Sequence, residues 1–166
     1  MKPYSILDGY NLIGALDRYR HALDLGTSRE LLISDALKAA GWMGREIIVV
    51  FDTAKGFEPG RTELKAGGAV SVVYSAPKES ADDVIERLVG SLDGPVTVYT
   101  ADFALQRAVL ARGGTRSTPR EFEELLNELP AFTSTPDVLF SSRVAERLPP
   151  GVVQSLEELR RRNENH

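Results

Sequence analysis

The sequence contains no cysteine, which excludes disulfide bonds, thiolate metal ligands and cysteine nucleophiles together. Histidine is scarce as well, with His21 in a polar stretch and His166 at the last position. These two positions argue against catalysis by a histidine acid–base pair. No apolar run is long enough to span a bilayer and no basic-then-apolar leader opens the chain, so we expect a cytoplasmic protein with no membrane partner.

The size and charge of the chain are typical of a globular protein. Its 166 residues are 42% hydrophobic and 27% charged, which suits one domain with one core. We expect a single domain over residues 1–166, with its core at about 4–130 and a helical addition at about 136–162. The formal net charge of −4 argues against a protein that binds nucleic acid through overall charge alone.

Three short apolar runs each end in an aspartate: Ser5 to Asp8, Ile47 to Asp52 and Val96 to Asp102. Continuous apolar runs of this length are typical of buried parallel strands, whose carboxyl ends line the ligand crevice of an open α/β sheet. The aspartates are thus predicted to meet there with Asp82 and Asp83, which open an amphipathic stretch. Clustered carboxylates repel one another unless a divalent cation lies between them, and Mg²⁺ or Mn²⁺ prefers oxygen ligands.

Each acidic residue also has a structural interpretation. Asp8 precedes a Gly-Tyr-Asn sequence and could be a turn residue that bonds nearby amides. Asp102 could be only a helix N-cap, and Asp83 could close a capping box with Ser80. Asp82 and Asp83 could both be acids that favour the N-terminal end of a helix dipole, but this account suits Asp82 less because the box needs only one acid. Asp52 could pair with the lysine three residues later.

Strand and helix patterns alternate along the chain. The predicted strands are residues 4–8, 46–51, 70–74 and 96–101, with a short edge strand at 115–118. The predicted helices are residues 27–43, 80–92, 102–110 and 119–126, with two more at about 142–147 and 152–162. Residues 9–26 are predicted as a turn and polar connection, and 55–68 as a mobile loop. The order predicts a three-layer α/β/α fold with a mainly parallel central sheet.

Basic residues are concentrated beside the predicted crevice. The segment from Phe103 to Arg120 contains four arginines and no acid. Four further cations follow Asp52 along the chain, and they are Lys55, Arg61, Lys65 and Lys78. For any one of these cations, a solvated surface position and a functional role are equally supported. Their position beside the acidic cluster favours phosphate contacts for the group.

Residues 4–126 resemble the YacP-like branch of the NYN-domain nucleases, which belongs to the PIN-like superfamily. The Asp8-Gly9-Tyr10-Asn11 sequence is the most specific part of this resemblance. The other matching segments follow in the same order and are Val49 to Asp52, Ser80 to Leu88 and Thr100 to Asp102. The branch often has Asp-Glu where this chain has Asp82-Asp83, so the role of the second acid stays open.

The resemblance implies an endoribonuclease that uses Mg²⁺ or Mn²⁺. It implies that Asp8, Asp82 and Asp102 hold the metal directly or through water, with Asp52 and Asp83 as further candidates. Asn11 would position a water or a phosphate. The cations beside the predicted metal site are candidates for RNA binding, and they are Lys55, Arg61, Lys65, Lys78 and Arg107. Tyr10 could stack on a base, and a core or rim position is the alternative for its ring. The implied partners are RNA, single-stranded or messenger, and the ribosome. Phosphodiester hydrolysis needs an activated water and charge neutralisation, and a divalent cation supplies both without histidine.

Two other classes of protein stay open. A Mg²⁺-dependent phosphohydrolase acting on a small phosphate ester could also use aspartates at strand ends, but it usually needs a second acid two residues after its nucleophile. Tyr10 stands at that position after Asp8. A non-catalytic module that binds RNA or the ribosome is the other alternative, and the presence of all the acidic positions argues against it.

Overall fold

Apolar segments form the parallel centre of a six-stranded sheet in the computed structural model, which describes residues 1–53 and 60–130. The strands are β1 (Tyr4–Asp8), β2 (Glu46–Phe51), β3 (Arg61–Lys65), β4 (Val70–Tyr74), β5 (Val96–Tyr99) and β6 (Thr115–Ser117). Their order across the sheet is β3-β4-β2-β1-β5-β6. Every neighbouring pair is parallel except β3 and β4, which are antiparallel.

Helices cover both faces of this sheet. They are α1 (Gly9–Ala15), α2 (Asp17–Arg20), α3 (Leu25–Met43), α4 (Ala81–Ser91), α5 (Phe103–Ala111) and α6 (Pro119–Glu128). Successive residues of β1 point to opposite faces, so Leu7 joins the core with α1, α3 and α6 while Ile6 joins the core with α4 and α5. The three-layer α/β/α prediction is therefore confirmed. None of the described helices has the length and apolar character needed to cross a membrane.

Local signals explain where most helices begin and end. The side chain of Asp24 accepts from the amide of Thr27 at 2.7 Å, so α3 begins earlier than predicted. The helix ends at Gly44, whose φ of 62° is open to glycine at little cost. Reciprocal capping boxes start α4, through Ser80, and α6, through Thr118.

Two segments differ from the sequence prediction. The predicted turn and polar connection at 9–26 contains α1 and α2, and the buried side chains of Leu12, Ile13 and Tyr19 hold these short helices against the sheet. The predicted loop at 55–68 contains β3, whose partner across the sheet is β4. Lys55 and the helical addition at 136–162 lie outside the described residues.

Candidate functional site

Acidic side chains collect at the carboxyl-terminal edge of the sheet. β1 runs parallel to β2 and β5, and its last pairs are Asp8 with Val50 and Leu7 with Tyr99, so the three strands end side by side. α4 and α5 begin at the same edge because each follows a parallel strand through a short connection. The residues placed there are Asp8, Asp52, Asp82, Thr100 and Asp102.

Asp8 is the most enclosed of the four aspartates, with 7% of its surface exposed. It occupies the N-cap position of α1 but its side chain makes no capping hydrogen bond, which disagrees with a simple turn role. Its Oδ2 accepts a 2.8 Å hydrogen bond from the hydroxyl of Thr100. Burial raises the pKa of the Asp8 carboxyl from 3.8 to about 6. The Thr100 hydrogen bond opposes this rise, and the negative charges of Asp82, Asp102 and Asp52 add to it.

Asp82 lies half-buried in the first turn of α4. Burial raises the pKa of its carboxyl, and the charges of Asp102, Glu86, Asp83 and Asp52 raise it further, in that order of size. The main charge effects on the pKa values of Asp82 and Asp8 thus come from other carboxylates. The two groups share a region of strongly negative potential.

Asp102 has both of the roles that its sequence position suggests. Its Oδ1 accepts a 3.1 Å hydrogen bond from the amide of Leu105, so it caps α5 as an N-cap aspartate does. Its charge also acts on Asp8 and Asp82, which places it in the acidic cluster. The cap fixes one carboxylate oxygen and leaves the second for another ligand.

Asp83 and Asp52 behave differently from each other. Asp83 is exposed and closes the capping box of α4 with both bonds formed, at 3.1 Å each. Its hydrogen bonds with Ser80 lower the pKa of its carboxyl, which is the behaviour of a structural carboxylate. Asp52 is half-buried, and its charge acts on both Asp8 and Asp82. The structure thus favours Asp52 over Asp83 as a member of the cluster.

Asn11, in α1, is hydrogen-bonded to the β5–α5 connection that carries Asp102. Its Oδ1 accepts a 2.8 Å hydrogen bond from the amide of Ala101, 90 positions away. This bond holds the β5–α5 connection against the first turns of α1. The role of Asn11 in positioning a water or a phosphate stays a prediction.

Thr100 and Gln106 belong to the site and were not singled out in the sequence. The Thr100 hydroxyl donates to Asp8 and accepts from the amide of Asp102 at 3.1 Å, so its donor and one acceptor position are both used. The side-chain amide of Gln106 donates to the Thr100 carbonyl at 2.7 Å. The signal available in the sequence was a hydroxyl residue that ends an apolar run two residues before an aspartate.

The predicted RNA-binding cations that the structure describes do not form one surface. Lys78 and Arg107 are exposed on the connection before α4 and on α5, the two helices that start at the acidic edge. Arg61 reaches the same edge because it pairs with Tyr74 at the end of β4, but it already contacts Glu63 at 3.0 Å. Lys65 pairs with Val70 at the start of β4, so it lies at the opposite end of the sheet.

Tyr10 is engaged with the protein itself. Its ring packs on Phe51 with 5.1 Å between the ring centroids, and its hydroxyl accepts a 3.0 Å hydrogen bond from Arg29. Phe51 in turn stacks on Tyr74 at 5.7 Å. This packing favours a rim role for Tyr10 over the predicted stacking on a base.

The chemistry of the acidic cluster fits a divalent cation. Within residues 1–53 and 60–130, no three or more His, Cys, Asp or Glu side chains form a ready-made metal site. Mg²⁺ keeps several of its waters in proteins and is commonly held by one or two carboxylates, so a full cage is not required. Burial raises the pKa values of Asp8 and Asp82 most, and the charges of neighbouring carboxylates raise them further, so a cation would offset the charge part of this cost. Hard carboxylate oxygens are the matching donors.

Comparison with known proteins shows the family of the chain. The family model of the YacP-like NYN domain matches residues 5–161. A crystal structure of Rae1 (YacP) from Bacillus subtilis, with one tryptophan replaced by leucine, is similar at a TM-score of 0.71 and 23% identity, covering 96% of this chain and 99% of that chain. A second Rae1 structure is similar at a TM-score of 0.60 and 23% identity, covering 97% and 92%. No curated protein matches significantly.

Proposed function

We propose that this chain, which belongs to the YacP-like NYN domain family, is a metal-dependent endoribonuclease. The family implies nuclease activity, and the proposal starts from that membership. The observation that carries the proposal is the environment of Asp8. A buried carboxyl whose pKa is raised to about 6 beside three other aspartates is costly for the fold, and costly groups of this kind concentrate at functional sites. A bound cation turns the repulsion into attraction.

Asp8, Asp82 and Asp102 would hold Mg²⁺ or Mn²⁺, directly or through water, with Asp52 close enough to add its charge. A divalent cation held there supplies an activated water and neutralises the charge that develops on a phosphodiester. The side chains and amides around the cluster hold these carboxylates in position and in the ionised form. The hydroxyl of Thr100 favours the ionised form of Asp8, and the amide of Leu105 fixes the carboxylate of Asp102.

Other side chains of the site would orient the substrate. Asn11 keeps the β5–α5 connection in place through its hydrogen bond with Ala101. This bond would keep the carboxylates of Asp8 and Asp102 in fixed positions relative to each other. Lys78 and Arg107 are exposed near the acidic edge and would contact the phosphates on either side of the cleaved bond. Messenger RNA on the ribosome is one setting that the family resemblance suggests for this reaction, in the cytoplasm.

An RNA cleavage assay tests the proposal. Single-stranded and structured RNAs are incubated with the protein in Mg²⁺, in Mn²⁺ or in EDTA, beside a small phosphate monoester such as p-nitrophenyl phosphate. We expect RNA products in both metals, none in EDTA and no hydrolysis of the monoester. Binding of RNA without cleavage in either metal would favour a non-catalytic module, and hydrolysis of the monoester would favour a phosphohydrolase.

A further inference from the structure

A large aromatic side chain stands in solvent beside the acidic cluster. Phe103 is 76% exposed although it follows Asp102 directly and is the first residue of α5. The inner face of this helix is occupied by Leu105, Gln106 and Val109, so Phe103 is not needed for the core. Covering this ring with a partner would remove apolar surface from water, which is favourable.

The same helix face is positively charged. Arg107 lies one turn after Phe103, at the spacing that makes side chains neighbours on a helix, and it is exposed. α5 contains no acidic residue. Within the described residues, Arg107 and Arg116 have no ion pair, whereas Arg112 contacts Glu86 at 3.5 Å. An exposed aromatic ring and a guanidinium without an ion pair therefore lie one turn apart on the helix that Asp102 caps.

We propose that Phe103 is a stacking platform for one unpaired base of a single-stranded RNA, with Arg107 on a phosphate of the same strand. The proposal rests on the nuclease function above and names its substrate class. Base stacking suits an exposed ring because every base has a π-face, and the adjacent cation supplies the charge that a backbone phosphate needs. Bases within a duplex are stacked on each other, so only an unpaired base is available.

Phe103 is better placed than Tyr10 to stack on a base. Both aromatic residues follow an aspartate of the cluster, but the ring of Tyr10 is covered by Phe51 and its hydroxyl is bonded to Arg29. A ring that is already packed has little face to offer a base. Phe103 has its face in solvent and lies on the helix whose cap, Asp102, belongs to the acidic cluster.

Binding of two short probes tests the stacking. Fluorescence anisotropy in EDTA measures the Kd of the full chain for a fluorescein-labelled hexa-adenylate and for an abasic hexamer of equal charge. Phe103→Ala should weaken binding of hexa-adenylate about 10-fold and leave binding of the abasic hexamer unchanged, since stacking is a property of the base. Phe103→Trp should restore the affinity. Leu110→Ala is the control, because Leu110 is a 48% exposed apolar residue on the same helix.

Parallel measurements separate the outcomes. Arg107→Gln should weaken binding of both hexamers equally and flatten their salt dependence. If Phe103→Ala binds hexa-adenylate as the wild type does, or weakens both hexamers alike, the stacking proposal is overturned, whether or not the protein cleaves RNA. If the wild type cleaves no RNA yet prefers hexa-adenylate through Phe103, the nuclease proposal fails and the stacking site stands.

Discussion

The hydroxyl of Thr100 donates a 2.8 Å hydrogen bond to the carboxylate of Asp8, across 92 positions of the sequence. Asp8 ends β1 and Thr100 directly follows the neighbouring parallel strand β5, so the sheet itself brings them together. Burial pushes the Asp8 pKa upward, and this bond is the largest effect in the opposite direction. Thr100 therefore keeps Asp8 more acidic than its burial alone would allow.

Replacing Thr100 by valine removes that bond while keeping the shape of the side chain. The pKa of Asp8 should rise above its present value of about 6, because a hydrogen bond to the charged form has been lost. Single-turnover cleavage of RNA, measured against pH, should then need a higher pH for its full rate. Thr100→Ser keeps the hydroxyl and should keep the wild-type profile. Superimposed pH profiles for wild type and Thr100→Val would remove Thr100 from this role.

The contribution of Asp8 to the stability of the metal-free protein should fall as pH rises. The folded-state pKa of Asp8 is raised to about 6 from 3.8, so the folded state prefers the protonated carboxyl. That contribution is complete below about pH 4 and is lost as pH rises towards about 6. Asp8→Asn has no charge to bury and should be more stable than wild type in EDTA at pH 7.5, by up to about 3 kcal/mol. Urea unfolding across this pH range measures the difference, and a difference that does not change with pH would contradict the cause given.

Divalent cations should stabilise the folded chain. At a metal concentration ten times the Kd, binding adds about 1.4 kcal/mol, which corresponds to roughly 3–6 °C in Tm for a chain of this size. Thermal melts with Mg²⁺ or Mn²⁺ should show this rise in wild type and a smaller one in Asp82→Ala. Asp83→Ala is the matched control. It should melt at a lower temperature because the capping box is broken, and yet respond to metal as wild type does. Equal metal responses in wild type and Asp82→Ala would exclude Asp82 from the site.

Gly9 has a steric role in the Asp-Gly-Tyr-Asn motif. A Cβ added there would lie 2.5 Å from the ring of Phe51 and 2.8 Å from the carbonyl of Val50, both in the core. Gly9→Ala should therefore destabilise the fold by roughly 1–3 kcal/mol or more. Gly14, on the same helix, has nothing within 4 Å of the equivalent position, and Gly14→Ala should stabilise by up to about 1 kcal/mol. Chemical denaturation of the two variants compares them directly, and equal effects would contradict this reading of the motif.

The acidic edge could be predicted because its signal is simple. Buried parallel strands are short apolar runs, and the residues after them must lie at one edge of the sheet. β1, β2, β4 and β5 were found in this way, and so was the position of their aspartates. The capping box of α4 was equally readable, since Ser80 and Asp83 stand at the required spacing.

Elements that depend on distant contacts were harder to predict. The Gly9-Tyr10-Asn11 sequence is typical of a turn, but it starts α1 because Leu12 and Ile13 bury themselves against the sheet. β3 has charged and exposed residues along most of its length, and its structure comes from pairing with β4. Neither partner is a local feature of the sequence.

The partners of the site side chains were also beyond sequence reasoning. Thr100 shows its role only once the sheet places it beside Asp8, and Phe103 is notable only because the orientation of α5 leaves it in solvent. Lys65 was predicted beside the crevice because it is close in sequence to Asp52. The antiparallel direction of β3 places it at the other end of the sheet.

The rate of RNA cleavage in saturating Mg²⁺ by wild type, Asp8→Asn and Asp83→Ala tests the central claim most directly. Loss of a group that only supports a metal ligand costs about 10–100-fold, so loss of the Asp8 charge should cost at least about 100-fold. Asp83→Ala should cleave at close to the wild-type rate, since its carboxylate caps α4. Cleavage by folded Asp8→Asn at the wild-type rate would contradict the proposal that the cluster around Asp8 holds the catalytic cation.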